Sequence, residues 1–155
     1  MREILFRGKR ADNGEWVEGY YARESNHACF ANELKYHHYI SKDVFMDWGL
    51  GGLEQYEVIP ETIGQYTGLC DKNGKKIFEG DIFRPFDNEI VVVTWIDYYS
   101  TLGFLCRIEH TETKRGKEIT ESHDGWSMLC DYELSNLEII GNVTDNPELL
   151  KGGAE

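Results

Sequence analysis

The feature that most constrains this chain is how often turn residues interrupt it. From Gly64 onward the apolar runs are short: Gln65–Leu69, Lys76–Phe78, Asp81–Phe86, Ile90–Ile96, Phe104–His110, Glu118–Ser122, Trp126–Leu129 and Leu137–Asn142. Between the first of them stand the turn Asp71-Lys72-Asn73-Gly74 and the turn at Gly80. None of these runs is long enough for an ordinary helix, and runs at such spacing predict antiparallel strands closed into a small barrel or packed as two sheets. "EIVVVTWI", residues 89–96, lacks strict alternation, so it is expected to be a central strand buried on both faces.

Upstream, Ile4 and Phe6 alternate with charged residues, and Trp16, Glu18 and Tyr20 alternate with Val17, around an Asn13-Gly14 pair suited to the positive φ of a hairpin turn. Strands are expected near Ala28–Ala31, His37–Ile40 and Tyr56–Ile59, with a glycine-rich connection at Gly49–Gly52. Pro60-Glu61-Thr62 has the proline and acidic neighbour of a single helical turn that Gly64 ends. "TDNPELLKGG" has a cap in Asn146, a proline at the first helical position and Gly152 beyond, the pattern of a short C-terminal helix. Asn13-Gly14 before Glu18-Gly19 echoes Asn73-Gly74 before Glu79-Gly80, which shared hairpin chemistry explains.

With 155 residues, 41% of them apolar, the chain can bury a real core as one domain or two small ones. Its net charge of -12 is spread through both halves and opposes contact with nucleic acid or an anionic membrane. Arg7, Lys9 and Arg10, and then Lys114, Arg115 and Lys117, are the local basic groups, each beside acidic residues as at solvated hairpin ends. Ile90–Ile96 falls far short of the roughly 20 residues of a membrane helix. Cys29, Cys70, Cys106 and Cys130 stand apart without a C-x-x-C pair, which suits a reducing cytoplasm and free, mostly buried thiols.

Candidate chemistry is sparse. His27-x-Cys29, the pair His37-His38, and lone His110 and His123 lack recognised metal-ligand spacing, so no metal and no cofactor is expected. Cys106 lies four residues from His110 but is no better placed for nucleophilic catalysis than the other cysteines, and no catalytic residue is assigned. Glu79 and Asp81 could form an acid/base pair, yet Glu-Gly-Asp is also what a tight turn between strands requires. Phe83, Phe86, Trp95, Tyr98, Tyr99, Phe104 and Trp126 are too many aromatics for the inside of a small barrel. Tyr98, Tyr99 and Trp126 are therefore the candidate ligand-binding residues, at a strand end where rings can serve a partner.

"REILFRGKRADNGEWVEGYY" at the start, "VIPETIGQYTGLCDKNGKKIFEGDIF" in the middle and "LEIIGNVTDNPELL" at the end together resemble the YopX family of phage and prophage proteins. The resemblance implies a protein encoded by a phage or prophage and carries over no activity and no catalytic residue. The segment Thr67–Ile108 is also similar to SH3-like barrels, in which a Gly-Asp turn opens a strand that leads to a V-x-W strand, here Val93-Thr94-Trp95.

The expected architecture is mainly β: an N-terminal β-hairpin region over residues 1–62, a small antiparallel SH3-like barrel over 63–144, and a short helix and tail over 145–155. The expected function is that of an accessory protein in the bacterial cytoplasm, a non-catalytic module that binds a protein or its own copies. Two alternatives stay open, a metal-dependent hydrolase or nuclease and an acidic nucleic-acid mimic that blocks a host DNA-binding protein.

Overall fold

A computed structural model describes residues 3–25, 35–45, 51–86, 89–98, 101–112, 118–119, 126–128 and 136–150, with the backbone alone at 45, 86, 89, 96–98, 101–112, 118–119 and 126–128. The chain divides into two compact units, Met1–Tyr66 and Thr67–Glu155. Both are mainly β and antiparallel. Among the described residues no helix is long and apolar enough to cross a membrane.

The first unit is a meander of four strands: β1 (Phe6–Lys9), β2 (Trp16–Ser25), β3 (Tyr36–Phe45) and β4 (Gly51–Glu57). Each pairs with the next. β1 and β2 are joined as expected through Gly14, whose φ of 74° only glycine adopts readily, with Arg10 N–H donating to Glu15 O and Gly14 N–H to Arg10 O. Gly51 and Gly52 belong to β4, so the expected glycine-rich connection gives way to strand there. Beyond Pro60–Thr62, a 3-10 turn led by its proline, β5 (Gly64–Cys70) sets Gly64 and Gln65 against Arg7 and Phe6 of β1.

Alternation along these strands sorts the side chains. Val17, Ile40 and Val58 share one buried cluster with Phe6, Tyr56 and Ile63 against it. Gly19 lies inside β2 on that same face, where a Cβ would stand 2.1 Å from the Ser41 carbonyl oxygen. Its role is close approach of two strands, while Gly80 takes a φ of 85° in a turn, so the two Glu-Gly pairs of the sequence echo differ in kind.

In the second unit β6 (Lys76–Phe78) pairs with β5, and a separate sheet has the order β10-β9-β8-β7-β12. Its strands are β7 (Asp81–Phe86), β8 (Glu89–Tyr98), β9 (Thr101–Glu112), β10 (Glu118–Ile119) and β12 (Ile139–Asn142), with β11 (Trp126–Met128) beside β9. As expected, β8 is buried on both faces. Val91 and Val93 pack with Ile77, Phe83 and Leu137, whereas Ile90 and Val92 pack with Ile82 on the other side.

Two expectations are corrected. The sheets are open: β12 pairs with β7, and no described strand joins it to β10 at the far end, so an SH3-like barrel is not formed. The C-terminal helix is a four-residue 3-10 turn, Pro147–Leu150. Asn146 holds it backward, because its side-chain oxygen accepts from Asn142 N–H at 3.3 Å instead of capping the turn ahead. Leu149 and Leu150 of that turn pack against the Ile82, Ile90 and Val92 cluster.

Candidate functional site

The carboxylates of the 70–81 stretch are occupied by backbone. Asp71 Oδ1 accepts from Asn73 N–H and Lys75 N–H, both at 2.9 Å, and Oδ2 accepts from Ile139 N–H at 3.3 Å. Burial pushes its pKa up, but these N–H donors and the nearby Lys75 charge outweigh burial and hold the carboxyl below its ordinary value. Asp81, fully buried, accepts from Phe78 N–H at 2.8 Å, and Glu79 accepts from Trp95 N–H at 3.2 Å. Glu79 and Asp81 thus hold the turn that Gly80 opens. Cys70, next to Asp71 in the chain, is exposed, an exception to the mostly buried thiols expected.

Of the expected ligand-binding aromatics, Tyr98 and Trp126 are placed by their backbone alone. Tyr98 pairs with Thr101 at the tip of the β8–β9 hairpin, and Tyr99 lies outside the described residues. Trp126 pairs with Arg107, six residues along β9 from that tip, which is about 20 Å of strand. Of the other aromatics, Phe83 is in the core and Trp95 is exposed. His27, Cys29, His123 and Cys130 lie outside the described residues, and Cys106 and His110 are described by backbone alone. Among the described residues no three His, Cys, Asp or Glu side chains converge as a metal site.

What does converge is in the first unit, at the start of β3. Val58 N–H donates to His38 O at 2.8 Å, and the chain then leaves β3 for β1, with Ile59 N–H donating to Lys9 O at 2.8 Å and Val58 bridging Arg10. Lys35, Tyr36 and His37 therefore run past the point where β4 departs. An open groove of about 400 Å³ results, lined by Lys35, Tyr36, His37, His38 and Glu57 on one side and Ala11, Val58, Ile59 and Pro60 on the other.

Both histidines and Tyr36 of the groove are held. His37 Nδ1–H donates to Glu57 Oε1 at 2.7 Å, and the His37 ring stacks on Tyr39 at 6.4 Å. His38 Nδ1 shares a 2.7 Å hydrogen bond with the Tyr21 hydroxyl. The Arg23 guanidinium lies 4.4 Å over the Tyr36 ring, whose residue is nearly half exposed. Tyr36 and Ile59 leave apolar surface beside polar groups of fixed orientation, an arrangement suited to recognition. The sequence pointed to His37-His38 only as weak metal candidates. Glu57, twenty residues on, gave no local signal.

The first basic group is neutralised or stacked, and Arg7 is buried instead of lying at a solvated hairpin end. Arg10 makes two bonds to the Asp12 carboxylate, at 2.9 and 2.6 Å, and lies 4.4 Å over the Tyr56 ring. That bidentate pairing, against some desolvation, holds Asp12 below and Arg10 above their ordinary pKa values. Glu54 accepts from the Tyr56 hydroxyl and raises the phenol's pKa. Arg7 and Lys9 sit 5.0 and 5.6 Å from the Trp16 ring centre. Lys114, Arg115 and Lys117 lie outside the described residues.

A search of curated proteins finds no match. The family model described as "YopX protein" matches residues 5–151, nearly the whole chain, across both units and all three stretches whose wording suggested it. The chain belongs to the YopX family.

Proposed function

We propose that this chain is a phage- or prophage-encoded accessory protein of the bacterial cytoplasm that works by binding another protein, with the groove beside β3 as its contact surface. One observation carries the reading: where β4 leaves β3, apolar and polar groups of fixed geometry converge on one open groove. Partner-binding sites are commonly built this way, with oriented polar groups around apolar surface.

Affinity capture with the tagged full chain from cells carrying the phage or prophage tests it, using Ile59→Asp as the control. Ile59 is exposed, so the charge spoils the groove and leaves the core intact. A partner retained by the parent and depleted at least about tenfold with Ile59→Asp is the expected result. Recovery of no partner, together with a monomer by light scattering, would sink the proposal.

A further inference from the structure

We infer that the groove takes an extended segment of the partner protein that carries an acidic side chain next to an apolar one, laid beside Tyr36 as a short added strand. The inference rests on the binding role proposed above and names the kind of ligand.

The backbone argument comes from register. In an antiparallel strand the N–H and C=O of one residue face one neighbour, and those of the next residue face the other. His38 C=O accepts from Val58 N–H, so His38 faces the β4 side. Tyr36, two residues earlier, faces the same side with its N–H and C=O, onto the groove that β4 has vacated. An extended segment placed there continues the line of β4, which is how strand addition recognises peptides. The span from Lys35 to His38 is about 10 Å of strand, room for three or four ligand residues.

The side-chain argument comes from charge. In a chain of net charge -12, the groove and its rim gather Lys35 and Arg23. Glu57, the acidic residue of the lining, is engaged by His37. Glu24 pairs with His37 across the strands, so both lie on the face opposite Arg23 and Tyr36. A carboxylate on the ligand complements this rim, and an apolar ligand side chain fits over Ile59 and Pro60. A basic segment would meet Lys35 and Arg23 instead.

The test is a backbone-amide NMR titration of the full chain with two capped hexapeptides. One is acetyl-Ser-Glu-Val-Thr-Val-Ser-amide, and the other has Gln in place of Glu. Expected shifts fall on Lys35 to His38 and on Ile59, with the Glu peptide binding about tenfold more tightly. Lys35→Glu, at an exposed position outside the strands, is expected to remove most of that difference. Tyr36→Pro, which deletes the N–H facing the groove, is expected to weaken both peptides. Lys35→Glu keeps the test decisive if the proline variant does not fold. Equal binding of the two peptides, or no shifts at these amides with millimolar peptide, overturns the inference. If a captured partner is lost with Ile59→Asp while neither peptide binds, the binding role stands and this ligand class falls.

Discussion

At Asp71, one carboxylate accepts two N–H groups from its own turn and a third from Ile139. A folded-state pKa below the unfolded value means that the group adds stability above about pH 4, where the unfolded side chain is ionised, and that this is lost as pH falls through the folded value. Asp71→Asn should therefore cost about 1–3 kcal/mol at pH 7, with the difference from the parent shrinking toward pH 3 in denaturant titrations. A constant difference across that range would refute the ionic account. Gly80 makes a second test. Alanine there would keep a φ of 85° and place a Cβ 3.2 Å from Val143 Cγ2, so Gly80→Ala should cost about 1–2 kcal/mol by thermal unfolding.

Among the elements, β7 and β8 carry the core of the second unit because both of their faces are buried. Phe83→Ala in β7 should cost about 3–5 kcal/mol, whereas Leu53→Ala on exposed β4 should change stability by less than about 0.5 kcal/mol in the same assay. Such elements were readable in the sequence because their signals are local. Four apolar residues in a row from Ile90 announce a strand buried on both sides, and Asp71 with Gly74 announces a turn. Closure was not readable, since it depends on which distant strands meet, and the pairing of β12 with β7 leaves no trace in strand spacing. The groove was hidden for the same reason: His37 and Glu57, like Tyr21 and His38, become neighbours only through register. At the C-terminus the proline marked a turn, but Asn146, expected as its cap, accepts from Asn142 N–H behind it, and the turn is 3-10.

Over the whole molecule, acidic charge spread through both halves sets behaviour in solution. The chain should not shift a random-sequence DNA duplex in gel electrophoresis at about 0.15 M salt, and retardation at micromolar protein would overturn that expectation. The turn at Asp71 has a further consequence, for the order of assembly. Lys72 N–H donates to Leu137 O, Ile139 N–H donates to Asp71, and Leu137 itself packs with Ile77 and Phe83. A chain emerging from the ribosome makes residue 71 long before residue 137. The second unit therefore stays incomplete during synthesis, its hairpin waiting for the last described strand, whereas the first unit has its described pairings by residue 66.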